Sequence, residues 1–243
     1  MPVLAYIVVA VAAYLLGSIP TGFLVARARG VDIRSVGSGN IGATNAMRVL
    51  GKPAGIFVLL VDVLKGYTAC AFLPPLIFDF LAPHFFLVIV YYQNELAELQ
   101  PKFHLVAGVF AVLGHNYSCW LKFKGGKGIA TTAGIYLALA PWALLAALLV
   151  FILAVLLTKY VSIGSIAAAI ALPVSIWLLT PDNFLLRIVT IALCALSIYK
   201  HKSNIKRLMA GTENRLGKKI VGQASSLSDR QDACPTKNAG DTK

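Results

Sequence analysis

Gly114-His115-Asn116-Tyr117-Ser118-Cys119-Trp120-Leu121-Lys122-Phe123-Lys124-Gly125-Gly126-Lys127-Gly128-Ile129-Ala130-Thr131-Thr132 joins two stretches apolar enough to lie in a lipid bilayer, yet is itself basic and glycine-rich. Glycines let a backbone approach a ligand closely, and a helix beginning after Gly128 would turn unpaired N–H groups and a positive dipole end toward an anion. Lys122, Lys124 and Lys127 add charge to those donors, so phosphate is the ligand that fits. Taken alone, the stretch also fits a basic turn that only fixes topology and touches lipid headgroups. It is not the nucleotide-binding pattern G-x-x-x-x-G-K-[ST], because Gly128 follows Lys127 where a hydroxyl would meet magnesium.

The flanks decide the fold class. Of 243 residues, 58% are hydrophobic and 13% charged, with a mean hydropathy of +0.76, values outside the range of ordinary soluble domains. This predicts an all-α polytopic membrane protein. The formal charge of +12 sits between apolar segments, and no soluble recognition module is visible, so the cations read as topology and phosphate contacts rather than nucleic-acid binding. Cys70, Cys119, Cys194 and Cys234 follow neither a zinc nor a disulfide spacing. Residues 3–16 lack a basic lead and run on into further apolar sequence, which reads as a retained span rather than a cleaved signal.

Residues 3–25 suffice to cross a bilayer, for which about 20 apolar residues are needed. The stretch 30–48 that follows is small, polar and glycine-rich, the composition of a loop that wraps a ligand. Pro53 opens a second span that carries Asp62 and Lys65 one helical turn apart; ionisable groups at that depth usually pair or line a site. Residues 74–102 are mixed, and the apolar run 85–92 is too short to span, so a loop or interfacial segment is expected there. Residues 104–117 return to apolar sequence.

Charge parity sets the rest. The positive-inside rule puts the cation-rich loops on one face. Arg27, Arg29, Arg34, Arg48 and Lys52 mark the first, Lys122, Lys124 and Lys127 the second, and Lys200, Lys202, Lys206 and Arg207 open the last. Residues 161–179 and 184–199 provide two crossings, so 129–158 must provide none or two. Pro141-Trp142 offers the break: a short helix over 127–140, then a full span. Seven crossings result, with three loops on the cytoplasmic face. Residues 1–220 form the membrane domain, and the polar tail 221–243 is expected to be disordered.

The third loop contains His201 and Asn204, one turn apart if helical, beside Lys200 and Arg207. Together the loops supply glycine amides, the hydroxyls of Ser38, Thr44 and Thr131, the amides of Asn40, Asn45 and Asn204, and the cations Arg48, Lys127 and Arg207. That set is sufficient for two phosphates. With Asp32 and Glu213 as their carboxylates, paired-carboxylate chemistry and a magnesium cage are not expected.

The three stretches resemble the cytoplasmic motifs of the bacterial acyl-phosphate-dependent glycerol-3-phosphate acyltransferase family. Residues 37–45 with Arg48 are similar to its first motif. Gly114-His115 with residues 123–131 is similar to the second, and His201, Asn204, Ile205, Arg207, Leu208, Gly211 and Glu213 to the third; Asp62-x-x-Lys65-Gly66 also matches. The resemblance covers roughly residues 1–216. Ser118 stands where the family commonly has proline, and 74–102 is longer than usual.

The resemblance implies transfer of a fatty acyl group from acyl phosphate to the 1-hydroxyl of glycerol 3-phosphate, in the bacterial inner membrane, without metal or cofactor, by a monomer or weak homodimer. It implies that Gly37, Ser38, Gly39, Asn40, Gly42, Thr44 and Asn45, with Gly125, Gly126, Lys127, Gly128 and Thr131, hold the donor phosphate. Arg48, Lys127, His201, Asn204 and Arg207 would hold glycerol 3-phosphate, and Ser38, Arg48, Lys127, His201 and Asn204 would be the catalytic set. Asp62, Lys65 and Glu213 would be structural, Glu213 by bracing the third loop. None of His84, His104, His115 or His201 has an aspartate in the His-x-x-x-x-Asp spacing of other glycerolipid acyltransferases. An activated donor tolerates that, because positioning and charge stabilisation can supply most of the rate. The general base is left between a donor phosphate oxygen and His201. An organic-phosphate transporter would need polar residues along a path through the spans, where only Asp62 and Lys65 stand, and an acyl-coenzyme A enzyme of the same fold stays open.

Overall fold

The computed structural model describes residues 2–81 and 93–216, all helix, turn and coil, with no strand among them. The helices are α1 (Pro2–Ser18), α2 (Thr21–Arg27), α3 (Ala43–Leu50), α4 (Lys52–Ala71), α5 (Leu73–Leu81), α6 (Gln93–Asn116), α7 (Ile129–Leu139), α8 (Pro141–Thr158), α9 (Val161–Leu179), α10 (Phe184–Lys200) and α11 (Lys202–Met209). Four stretches are long and apolar enough to cross a membrane: Val3–Arg27, Lys52–Ala71, Pro141–Thr158 and Val161–Leu179. Taking α10 with α11, which bends away by 52°, adds a fifth.

The first span is broken where Pro20 removes a backbone donor, so α1 and α2 meet at Ile19-Pro20 rather than forming one helix. The break expected at Pro141 is present: Ala140 leaves the helical region (φ −155°, ψ 70°), α7 ends and α8 begins. Residues 74–102 depart from the expected loop, being helical from Leu73 to Leu81 and again from Gln93. Pro74 and Pro75 fall in the first turn of α5, where a missing N–H costs nothing, and Glu95, Leu96, Ala97, Glu98 and Leu99 are strong helix formers. The run 85–92 and the tail 221–243 lie outside the described residues.

Small residues let the helices approach closely, as membrane interiors require in the absence of a hydrophobic drive between helices. Gly17 on α1 lies against the backbone of Ala111 on α6, and Gly114 on α6 against that of Tyr14. Gly66 on α4 faces the backbone of Thr131 on α7, and Gly134 faces that of Val63. A second layer, α7 to α10, buries Tyr136, Ile176, Leu186 and Leu193, with the Tyr136 hydroxyl donating to Thr190 Oγ1 at 2.6 Å.

These contacts bring the three unusual loops to one end of the bundle. Ser118 Oγ donates to Ser18 O at 2.6 Å and Tyr14 Oη to Tyr117 O at 2.7 Å, fastening the second loop to α1. Lys200 Nζ donates to Asn116 O at 2.9 Å and Arg48 Nη2 to Asn214 O at 3.4 Å, fastening the third loop to the second and first.

Candidate active site

The first loop is built around one side chain. Asn45, on the first turn of α3, accepts from the Ser38 amide at 2.8 Å through Oδ1 and donates through Nδ2 to Val36 O at 3.1 Å and Asn40 O at 2.9 Å. Asn40 Oδ1 in turn accepts from the Gly42 amide at 2.8 Å. The loop reverses at Gly37 and Gly39, both at positive φ (65° and 70°), and drops Ile33 and Ile41 into a core with Ala26, Ala46 and Val58. The result aims the start of α3 inward.

The second loop does the same for α7. Gly128 adopts φ +81° at its N-cap, so the amides of Ile129 and Ala130 open the helix toward the same space as Ala43 and Thr44. Between these two helix starts lies a cavity of about 150 Å³. Arg48, Lys127, His201 and Asn204 face it from the three loops, with Ser38 and Thr44 as hydroxyls and Leu59 and Phe151 as an apolar side. Lys127 Nζ donates to Asn204 Oδ1, Asn204 Nδ2 to Glu213 Oε1 at 2.7 Å, and Arg207 Nε to Glu213 Oε2 at 2.7 Å. Two helix N-termini and two cations around a small void are what an anion with several oxygens requires.

The chain matches the family model described as glycerol-3-phosphate acyltransferase over residues 7–211. It is 44% identical over 208 residues to the glycerol-3-phosphate acyltransferase of Geotalea daltonii, covering 86% of this chain and 96% of the relative. Against the enzyme of that name from Clostridioides difficile it is 44% identical over 224 residues, covering 90% and 99%. This chain belongs to the glycerol-3-phosphate acyltransferase family. It also superposes on the crystal structure of an integral membrane glycerol 3-phosphate acyltransferase in its glycerol 3-phosphate form, with a TM-score of 0.73 and 35% identity over 87% of this chain and 96% of that one. The lysophosphatidic acid form gives 0.71 and 34%, covering 87% of this chain and 95% of that one. The protein is therefore a multi-pass membrane acyltransferase.

Within this acyltransferase, Ser38, Asn40, Gly42, Thr44, Asn45, Arg48, Lys127, Gly128, His201, Asn204 and Glu213 all line the cavity. Other anticipated ligands stand outside the cavity or, like Asn45, have their polar groups already engaged. The amides of Gly125 and Gly126 already donate to Asn116 O at 3.2 Å and His115 O at 2.9 Å, so these glycines serve close packing rather than a phosphate cradle. Gly37 and Gly39 shape the first loop, Asn45 spends its amide inside that loop, Thr131 is fully buried against α4, and Arg207 turns to Glu213. Asp62 and Lys65 form a buried pair at 2.9 Å, and Asp62 also reaches the cavity wall. Asp32 is turned away, bound by Arg34 at 2.7 Å, which holds its carboxyl at about 2.

Several cavity residues were not anticipated: His115, Leu59, Phe151, Val161, Ser162 and Ser165. His115 lay within a quoted motif but shows no partner in sequence. The others belong to apolar spans, where one small polar or large apolar residue looks like any other.

Burial sets the electrostatics. It pulls the Lys127 ammonium down to about 8, with Arg207 and Arg48 pushing the same way and Glu213 opposing. It pulls the His201 imidazole down to about 4, reinforced by Lys127 and opposed by the hydrogen bond to Ser197 O at 2.8 Å. His201 is therefore neutral near pH 7, with Nδ1–H fixed on the Ser197 carbonyl and Nε2 left as an acceptor. Burial acts against the Glu213 carboxylate, but hydrogen bonds from Asn204 and Arg207 outweigh it and hold the group ionised.

Proposed function

We propose that this protein transfers a fatty acyl group from acyl phosphate to the 1-hydroxyl of glycerol 3-phosphate, giving 1-acyl-glycerol 3-phosphate and inorganic phosphate. The observation that carries the reading is the cavity where the starts of α3 and α7 meet Arg48, Lys127, His201 and Asn204. Seven crossings, with this end of the bundle at the cytoplasmic face of the bacterial inner membrane, give both water-soluble glycerol 3-phosphate and a membrane-borne donor access.

The donor phosphate rests on the amides of Ile129, Ala130 and Thr44 and on the Ser38 and Thr44 hydroxyls, while Arg48 and Lys127 hold the phosphate of glycerol 3-phosphate, with Asn204 Oδ1 holding the Lys127 ammonium in place. The acyl chain leaves over Leu59 and Phe151, between α4 and α8, toward lipid. The 1-hydroxyl oxygen attacks the acyl carbonyl carbon, and the tetrahedral intermediate collapses by breaking the carbon–oxygen bond to phosphate. Lys127 offsets the charge that grows on that oxygen. His201 Nε2 accepts a hydrogen bond from the attacking hydroxyl and aims it. An imidazole at about 4 is a poor proton acceptor, so the proton passes to an oxygen of the departing phosphate.

The test is product formation from radiolabelled glycerol 3-phosphate with palmitoyl phosphate or palmitoyl-coenzyme A. Labelled lysophosphatidic acid from the phosphate donor alone is expected. An equal rate with the coenzyme A donor would overturn the donor assignment, and uptake of label into sealed vesicles without any donor would favour transport.

A further inference from the structure

We propose that Asp62 and His115 are positioning residues that set the reach of Lys127, acting through the His115 ring on Gly126; this rests on the role of Lys127 in the proposed reaction. Both residues line the cavity wall, yet neither has a part in the chemistry above. Lys65 Nζ lies 2.9 Å from Asp62 Oδ1 and donates to Ile19 O at 3.1 Å, at the break between α1 and α2. His115 Nδ1 stands 3.8 Å from the same carboxylate oxygen, and its ring is 5% exposed. Among the described residues Nδ1 has no hydrogen-bond partner, and the charges beside the ring are the Asp62 carboxylate and its partner Lys65.

The other edge of the ring carries Gly126. A methyl group at Gly126 would fall into the imidazole, on Nε2. Gly126 is not among the positive-φ residues, so its backbone would accept alanine; the nearest atoms that a methyl would meet there are those of the ring. The Gly126 amide donates to His115 O at 2.9 Å, which presses the turn onto the ring. The next residue is Lys127, whose carbonyl accepts from Ser197 Oγ at 3.4 Å and whose ammonium donates to Asn204. The imidazole is thus a spacer between α6 and the turn. Its thickness and tilt fix how far Lys127 extends across the cavity, and a buried ion pair on α4 fixes the tilt.

The experiment measures kcat, the Michaelis constants, melting temperature and calorimetric binding of inorganic phosphate for His115→Ala, Gly126→Ala, the His115→Ala/Gly126→Ala double variant, Asp62→Asn and Asp62→Asn/His115→Ala. Each of the first two should lower kcat per folded molecule about tenfold or more, since a misplacement of ~1 Å can cost ~10²-fold, and should weaken phosphate binding. The His115→Ala/Gly126→Ala pair should recover roughly threefold over Gly126→Ala, because the methyl then enters the space the ring vacates. Asp62→Asn should lower kcat alone but cost less than about twofold when His115 is already alanine, as expected for groups acting in series. Multiplying losses, or a lower melting temperature with unchanged kcat and phosphate affinity, would overturn the inference. Phosphate affinity is read without turnover, so an inactive wild-type protein would fail the proposed function while leaving this inference to be judged on binding.

Discussion

Lys127 and Asn204, from loops 77 residues apart in sequence, meet in a hydrogen bond from Nζ to Oδ1, and the same amide donates from Nδ2 to Glu213 at 2.7 Å. Glu213 therefore decides which way the amide faces: with Nδ2 on the carboxylate, the oxygen must point to Lys127. Asn204→Ala removes a charge-assisted bond worth about 1.5–3 kcal/mol, which is roughly 10- to 150-fold in kcat/KM for glycerol 3-phosphate. Asn204→Asp should do worse, because its carboxylate neutralises the cation the phosphate needs. Steady-state kinetics on detergent-solubilised variants measure both.

Lys127 also gives the enzyme a basic limb. Its ammonium deprotonates at about 8 in the free protein, so kcat/KM should fall as pH rises through that value. Lys127→Arg should abolish the limb whatever it does to the absolute rate. For stability the sign is opposite: the folded state releases this proton before the unfolded one, so the group's contribution rises with pH from about 8 to the ordinary lysine value and is most unfavourable below it. Bound phosphate should move the limb upward in the kcat profile.

His201, neutral at physiological pH and fixed by Ser197, orients rather than ionises. His201→Ala should cost about tenfold or less in kcat, well below the 10²–10⁴-fold that general-base catalysis typically supplies. Any acid limb near the ordinary histidine value should persist in His201→Ala, because it belongs to the substrate phosphates, whose second ionisation lies at about 6. A loss of about 10³-fold confined to kcat, with an acid limb that disappears in the variant, would make His201 the base instead.

Close helix contacts give a prediction independent of the chemistry. Gly66→Ala and Gly134→Ala each drive a methyl into the backbone of the facing helix, Thr131 and Val63 respectively. Overpacking of this kind costs about 1–3 kcal/mol, read as a lower melting temperature in detergent. Gly30→Ala, with open space around it, tests the contrast: its positive φ is the only penalty.

Much of this arrangement was legible in residue order. Pro141 after an apolar stretch signalled the break between α7 and α8, and Gly128 before Ile129 signalled the helix start that faces the cavity. The positive-inside rule puts the loops that carry Arg48, Lys127 and Asn204 on one face. What sequence does not carry is which polar groups are already spent. Gly125, Gly126, Asn45 and Arg207 have the right chemistry for phosphate, but the donors of the first three are taken by Asn116 O, His115 O and the first loop, and Arg207 sets its Nε on Glu213 outside the cavity lining. Asp62 and Lys65 were readable as a pair from their spacing, whereas His115 beside them depends on the packing of α4 against α6. The helical start of residues 74–102 was masked by two prolines, which read as breakers unless they fall in a first turn.

The most direct measurement of the central claim is inorganic phosphate release by the purified protein given palmitoyl phosphate with and without glycerol 3-phosphate, beside Lys127→Ala. Release that requires both substrates, and falls by roughly 10²–10³-fold in the variant, is the expected result. Release by Lys127→Ala at the wild-type rate, or none from folded wild-type protein with both substrates present, would contradict it.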